Sequence, residues 1–127
     1  MNSNAKILVI DDDANNIEMI TEFLNDVGYQ VYSTLDSRKA FADVNAVLPD
    51  LILLDIRMPL VDGFAVAKQV RANATTQNIP IIFVSAQDDS KTMSEGFKQH
   101  AMNYIVKPIN LHHLLESIEE VLQLSSN

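Results

Sequence analysis

The residues that could do chemistry in this 127-residue chain stand at the ends of short apolar segments. The segment LILL (51–54) runs directly into Asp55, and KILVI (6–10) runs into Asp11 and Asp12. A buried carboxylate without a partner costs free energy, so an apolar strand normally ends in a neutral residue. Asp55 therefore either lies on a solvated rim or belongs to a reactive site, and the other strand ends decide between the two.

Two more apolar segments end in residues that complement a carboxylate. PIIFVS (80–85) ends in the hydroxyl of Ser85, and NYIV (103–106) is followed by the ammonium of Lys107. If these ends converge, one lysine cannot balance the clustered acids, whereas a divalent cation such as Mg²⁺ can. Carboxylate, metal, ammonium and hydroxyl together suit phosphoryl transfer, in which an aspartate attacks phosphorus to form an acyl phosphate.

The elements that must position these residues alternate between apolar runs bounded by turn residues and longer segments of helical periodicity. Asp13 is a candidate cap of the first helix, Gly28 is a candidate end, and Pro49 stops the second helix. The predicted strands are 6–10, 30–34, 51–54, 80–85 and 103–106. The predicted helices have their apolar positions at Ile17, Ile20, Leu24 and Val27, at Ala40, Phe41, Val44 and Val47, at Phe64, Ala67 and Val70, weakly over 89–99, and at Leu111, Leu114, Leu115, Ile118, Val121 and Leu122.

Strict alternation of strands and helices predicts one α/β domain over residues 1–127, a doubly wound five-stranded parallel sheet with five helices. In the common strand order 2-1-3-4-5, the first, third, fourth and fifth strands are neighbours. Ligands of such sheets bind beyond the carboxyl ends of the strands, so the acids, the serine and the lysine should share one crevice. No interdomain linker is visible, and we expect no output domain in this chain.

Composition excludes several classes of function. The net charge of −8 argues against direct binding of nucleic acid, which needs Lys and Arg to displace counterions. The absence of cysteine excludes disulfides, thiolate zinc sites and cysteine nucleophiles. No segment approaches the roughly 20 apolar residues of a membrane span, and the N-terminus lacks the apolar part of a signal peptide. A cytoplasmic protein with no membrane association is predicted.

Four motifs, KILVIDDD, LLDIRMPLVDG, VSA and YIVKP, resemble those of response-regulator receiver domains, and the resemblance covers nearly the whole chain. Receiver domains, among them chemotaxis regulators, act in two-component signalling and have a flavodoxin-like fold. The resemblance implies that Asp55 accepts a phosphoryl group from the phosphohistidine of a histidine kinase or a histidine phosphotransfer protein. It also implies no enzymatic activity beyond the domain's own phosphorylation and dephosphorylation.

The resemblance assigns the metal site residue by residue. Asp11 and Asp12 would position Mg²⁺, Asp12 most directly, with Mn²⁺ as an alternative ion. Asp55 and the main-chain carbonyl of Arg57 would complete the protein's share of the ligands. Lys107 would pair with the phosphoryl oxygens.

Further roles follow from the same resemblance. Ser85 would bind the phosphoryl group, Tyr104 would reorient with it, and the small Ala86 would leave room for it to enter. The peptide bond between Lys107 and Pro108 is expected to be cis, which is otherwise rare for X-Pro bonds.

Arg57 and Gln87 lie at positions that vary within the family. They would tune the lifetime of the acyl phosphate, and Gly63 fits the tight DG turn before the third helix. His100-Ala101 stands where receivers often have Gly-Ala, which is a departure from the pattern. His112 and His113 match no metal or phosphotransfer pattern and are expected to be surface residues.

The expected output surface is the face formed by the fourth helix (89–99), the fifth strand and the fifth helix (110–124). The fourth helix has the weakest apolar stripe and should be the most easily shifted. Expected partners are the cognate kinase, a fused or separate output domain, and a second copy bound through that same face.

Two alternatives from other classes compete with this interpretation. A haloacid-dehalogenase-like Mg²⁺-dependent phosphatase would use the Asp-x-Asp of VIDDDAN, with Asp11 as nucleophile, but the chain is short for that fold and lacks a cap domain. A flavodoxin-like cofactor binder would need a Ser/Thr/Gly-rich phosphate cradle after the first strand, where this chain has three aspartates.

Overall fold

The computed structural model describes residues 4–86 and 103–125 of the chain. Nine regular elements fall within these ranges, together with a short 3₁₀ helix, Ser37–Lys39, that precedes the second α-helix. In chain order they are β1 (Lys6–Ile10), α1 (Ala14–Val27), β2 (Gln30–Thr34), α2 (Ala40–Val47), β3 (Leu51–Asp55), α3 (Gly63–Ala72), β4 (Ile81–Ala86), β5 (Asn103–Lys107) and the C-terminal helix (Leu111–Ser125).

The five strands form one parallel sheet in the order β2-β1-β3-β4-β5, which confirms the predicted fold and strand order. β3 and β5 each extend one residue beyond the predicted ends, so Asp55 and Lys107 are the last residues of their strands. The predicted helix at 89–99 lies outside the described residues, as do Gln87 and His100-Ala101.

Helices cover both faces of the sheet, and each face has its own apolar core. Val9 and Leu53 point to the side of α1 and the C-terminal helix, while Leu8 and Ile52 point to the side of α2 and α3. All five residues of β3 are buried, because this central strand has neighbours on both edges and helices on both faces. None of the helices in the described ranges has the length and apolar character needed to cross a membrane.

The ends of α1 follow the expected capping chemistry. The Asp13 carboxylate accepts hydrogen bonds from the backbone N–H groups of Asn15 and Asn16, which satisfies two otherwise unpaired donors. Gly28 ends the helix in the left-handed conformation with φ 119°. Val27, the last apolar position of the predicted helical spacing, is also the last residue of α1. Its side chain is 38% exposed, because it lies in the last turn, just before the chain leaves the helix.

Candidate functional site

The register of the sheet aligns the strand ends that the sequence singled out. Ile10 of β1 pairs with Leu54 of β3, so Asp11, one residue further along, lies level with Asp55. On the far side of the site, Lys107 ends β5 opposite the last residue of β4. Of the four strand ends predicted to converge, those of β1, β3 and β5 bring Asp11, Asp55 and Lys107 together, and β4 lies between β3 and β5.

Three aspartates form a compact acidic cluster at this edge of the sheet. One carboxylate oxygen each of Asp11, Asp12 and Asp55 lie within 4.8 Å of one another. Asp11 and Asp55 are only 2% and 3% exposed, while Asp12 faces solvent. Mg²⁺ favours such carboxylate oxygens and keeps several waters, so the donor set fits this ion with one side open to solvent.

Lys107 lies beside the two buried carboxylates. Its Nζ is 3.3 Å from Oδ2 of Asp55 and 3.6 Å from Oδ2 of Asp11. Burial and the nearby Asp11 raise the pKa of Asp55 to about 7, although Lys107 acts in the opposite direction. Burial lowers the pKa of Lys107, but the two carboxylates raise it by more, so it stays a cation. A single ammonium does not compensate for both acids.

Backbone amides fix the other oxygens of the two buried carboxylates. The N–H of Arg57 donates to Oδ1 of Asp55 at 3.3 Å, and the N–H of Asp13 donates to Oδ1 of Asp11 at 2.9 Å. These bonds orient both side chains and leave each Oδ2 directed towards Lys107. The side chain of Arg57, two residues beyond Asp55, is exposed.

Gly63 allows α3 to start against the end of β3. A Cβ at this position would lie 2.4 Å from the carbonyl oxygen of Asp55, a distance that no real side chain tolerates. The Gly63 N–H donates to the Ile56 carbonyl at 2.8 Å, and the Asp62 carboxylate caps α3 by accepting from the N–H of Ala65. The DG pair therefore combines a helix cap with a close backbone approach.

The remaining predicted residues lie on β4 and β5. Ser85 is fully buried and is the residue before Ala86, which ends β4. Tyr104 is half-buried on β5, where it packs against the core on the α2 and α3 side. The peptide bond between Lys107 and Pro108 is cis, the isomer that the resemblance implied.

The two histidines of the C-terminal helix are exposed, as expected. The ring of His112 packs edge-on against Phe23 of α1, with the ring centres 6.2 Å apart.

Sequence reasoning missed the connection between β2 and α2, which touches both acidic loops. The Thr34 carbonyl accepts from the N–H of Asp11 at 3.2 Å. The Ser37 hydroxyl donates to the Pro59 carbonyl at 2.6 Å and accepts from the N–H of Val61 at 3.3 Å. A lone serine after an aspartate reads as an ordinary turn residue, so no pattern in the sequence could have found these contacts.

Comparison with known proteins identifies the class of protein that has this fold and site. Residues 7–119 match the family model of the response regulator receiver domain, and the chain belongs to this family. It is a receiver domain of the two-component response-regulator type, and this family is a family of signalling phosphoacceptors.

Individual relatives differ in length from this chain. The response regulator PleD of Caulobacter vibrioides is 35% identical over 107 residues, which are 84% of this chain but only 24% of PleD. Protein PilH of Pseudomonas aeruginosa is 33% identical over 118 residues, which cover 93% of this chain and 98% of PilH. The chain thus spans about a quarter of one relative and nearly the whole of another.

Solved structures support the same assignment. The chemotaxis response regulator CheY4 of Vibrio cholerae superposes with a TM-score of 0.87 at 31% identity, over 93% of this chain and 98% of CheY4. Receiver domains bind Mg²⁺ through acidic residues, and this chain has the corresponding aspartate cluster. The phosphatase alternative, with Asp11 as nucleophile, finds no support in these comparisons.

Proposed function

We propose that Asp55 is the phosphoacceptor of this receiver domain and that phosphorylation requires a divalent cation, Mg²⁺ or Mn²⁺, held by Asp11, Asp12, Asp55 and the Arg57 carbonyl. The observation that carries the proposal is the set of three carboxylates within 4.8 Å of one another, with Lys107 Nζ 3.3 Å from Asp55. Like charges at this distance repel, so the cluster favours a bound cation.

The residues have complementary roles in the transfer. A carboxylate oxygen of Asp55 attacks the phosphorus of a phosphohistidine, while the bond from phosphorus to nitrogen breaks and the imidazole takes up a proton. The Lys107 ammonium and the Ser85 hydroxyl stabilise the phosphoryl oxygens, and Ala86 leaves space for them. The cation supplies neutralisation of the developing negative charge.

The phosphoryl donor would be a histidine kinase or a histidine phosphotransfer protein. The chain would catalyse only its own phosphorylation and dephosphorylation, with no other substrate. Location in the cytoplasm and a single domain over 1–127 stay predictions.

Arg57 and Gln87 would set the lifetime of the acyl phosphate. The exposed Arg57 side chain lies two residues beyond the acceptor and would shield the phosphoryl group, while an amide at Gln87 would orient a hydrolytic water. Arg57→Ala should therefore shorten the phosphoryl half-life, and Gln87→Ala should lengthen it. Two unchanged half-lives would show that neither residue controls the access of water.

The surface that changes on phosphorylation and passes the signal to a partner would be formed by the predicted helix at 89–99, β5 and the C-terminal helix. Ser85 would move towards the phosphoryl group, and Tyr104 would fill the space behind β4 and shift the equilibrium between two packings of this face. A fused or separate output domain, or a second copy, would bind there. Amide exchange with and without beryllofluoride tests this, and changes confined to α1 and α2 would contradict it.

The central experiment identifies the phosphorylated residue. Incubated with Mg²⁺ and a small acyl-phosphate donor, the protein should gain the mass of one phosphoryl group at Asp55, and Asp55→Asn should gain none. Asp12→Ala should weaken both Mg²⁺ binding and phosphorylation. Mapping of the label to Asp11 would contradict the receiver mechanism and restore the phosphatase alternative.

A further inference from the structure

The loop that follows the acceptor strand contains a strained turn. The N–H of Val61 donates to the Pro59 carbonyl at 2.8 Å, which closes a γ-turn around Leu60. Leu60 has φ 74°, a conformation that residues with a side chain rarely adopt. Its side chain is 76% exposed, so burial of the leucine does not offset this strain. Other contacts must hold the turn in place.

The hydroxyl of Ser37 binds the same two backbone groups that close this turn. It donates to the Pro59 carbonyl at 2.6 Å and accepts from the Val61 N–H at 3.3 Å. Ser37 itself is only 5% exposed, and both bonds are partly buried. Its backbone is fixed in turn, because it begins the 3₁₀ helix that Asp36 caps by accepting from the N–H of Arg38 at 2.9 Å.

Arg57 lies between this clamped turn and a second anchor at the base of the loop. The base is closed by the hydrogen bond from Gly63 N–H to the Ile56 carbonyl at 2.8 Å. Between the two anchors, the N–H of Arg57 donates to the Asp55 carboxylate. The backbone path through Arg57, and with it the direction of its carbonyl, therefore depends on both anchors.

The connection between β2 and α2 also supports the other acidic loop. Thr34 accepts from the N–H of Asp11 through its carbonyl, and its hydroxyl donates to the Asp43 carboxylate of α2. One short segment, from Thr34 to Ser37, thus braces the backbone on both sides of the acidic cluster.

We propose that Ser37 is a positioning residue of the cation site: its hydroxyl holds the strained turn so that the Arg57 carbonyl and the Asp55 carboxylate face one ion. This inference rests on the proposed function, since it assumes that a divalent cation binds there. Mg²⁺ requires near-octahedral geometry, so a displaced carbonyl weakens binding even when every ligand is still present.

The test is the Mg²⁺ affinity of Ser37→Ala, measured by isothermal titration calorimetry on the full chain. We expect the dissociation constant to rise by about ten-fold, the lower end of the effect of outer-sphere partners on metal sites. In the metal-free protein, the Val61 amide should exchange faster with solvent than in wild type. Ser37→Thr keeps the hydroxyl and should bind Mg²⁺ with near wild-type affinity.

Thr76→Val is the matched control for loss of a buried hydroxyl. Thr76 is fully buried, and its hydroxyl donates to the Val70 carbonyl at 2.7 Å, in the connection between α3 and β4. Removing it should lower the stability but leave the Mg²⁺ affinity unchanged. A similar loss of affinity in both variants would mean that general destabilisation is the cause, and it would overturn the proposal.

A double-mutant cycle with Leu60→Gly tests the strain directly. Glycine adopts positive φ without strain, so the affinity lost through Ser37→Ala should be smaller in the Leu60→Gly background. An equal loss in both backgrounds would overturn the role assigned to the turn.

Two further measurements distinguish a failure of the Ser37 proposal from a variant that does not fold and from a failure of the proposed function. If Ser37→Ala does not fold, Ser37→Cys fills similar space with a weak donor, and its affinity should fall several-fold. Wild-type affinity in either folded variant would overturn the proposal. If wild-type protein binds no Mg²⁺, the proposed function itself fails, and faster exchange at Val61 then tests the clamp alone.

Discussion

At Asp55, burial and the Asp11 carboxylate both favour the protonated acid, and Lys107 opposes them. The resulting pKa of about 7 lies above the ordinary aspartate value of 3.8. The folded protein therefore binds this proton more tightly than the unfolded chain does. Its contribution to stability is fully present below about pH 4 and is lost as the pH rises towards 7, because the charged form is the disfavoured one.

Asp55→Asn should accordingly stabilise the metal-free protein at pH 8. Asparagine has similar shape without the buried charge, so we expect the free energy of unfolding to rise by on the order of 1 kcal/mol. At pH 4 the two proteins should differ little. Urea denaturation in the presence of a chelator measures both values.

The control for this comparison is Asp26→Asn, at an exposed position of α1. It removes one charge without changing the acidic cluster, so it accounts for the effect of net charge alone. An advantage of Asp55→Asn that is no larger at pH 8 than at pH 4 would refute the assigned origin of the pKa shift.

At the scale of elements, the junction of β3 with α3 depends on Gly63. The Cβ of Gly63→Ala would meet the Asp55 carbonyl, and this backbone cannot move without shifting the strand. We expect a loss of about 2 kcal/mol in the free energy of unfolding, together with slower phosphorylation. Helix propensity alone predicts the opposite sign, a gain of up to about 1 kcal/mol, so the direction is diagnostic.

Ala65→Gly is the matched control for this junction. It lies on the exposed side of the same helix and should lose only about 0.5–1 kcal/mol, the usual effect of glycine in a helix. Denaturation curves of both variants give the comparison. A Gly63→Ala protein as stable as wild type would show that α3 can move away from β3 without cost.

The sequence predicted most of the sheet because each strand has a strong local pattern. β3 is buried on both faces and thus appears as an unbroken apolar run, and its end at Asp55 is visible as an abrupt change of polarity. Asp13 and Gly28 could be assigned because capping is decided within a few residues. Val27 continues the helical spacing but is 38% exposed, since periodicity does not show where a helix leaves the core.

The contacts that hold the loops of the site in place could not be predicted from local sequence patterns. Ser37 and Pro59 are 22 residues apart, and one hydroxyl joins them without any periodic signal. The φ of Leu60 runs against the preference of leucine, so its identity predicts the wrong conformation. Strand ends show which side chains can react, whereas the contacts that orient them arise only from the packed fold.

At the scale of the whole molecule, charge is divided between the two helical layers. α1 and the C-terminal helix contain no Lys or Arg, and the basic residues around α2 and α3 lie on the opposite side of the sheet. The acids of the first layer are Glu18, Glu22, Asp26, Glu116, Glu119 and Glu120. Together with the net charge of −8, this distribution gives the molecule a negative field that attracts cations.

Mg²⁺ should therefore stabilise the protein in two separable ways. Screening of the net charge is shared by any salt, whereas binding at the acidic cluster is specific and acts by mass action. At a free concentration ten times its dissociation constant, Mg²⁺ should add about 1.4 kcal/mol to the free energy of unfolding. For a domain of this size, that corresponds to a rise of roughly 3–6 °C in melting temperature. The rise should be larger at pH 8 than at pH 5, because the cation binds the deprotonated Asp55.

Thermal melts in MgCl₂ and in NaCl of equal ionic strength separate these two contributions. Asp12→Ala should keep the rise seen in NaCl and lose most of the additional rise in MgCl₂, because only a carboxylate of the cluster has been removed. If wild type and Asp12→Ala gain equally from Mg²⁺, the stabilisation is screening by the solution, and the aspartates at the sheet edge do not form a cation site.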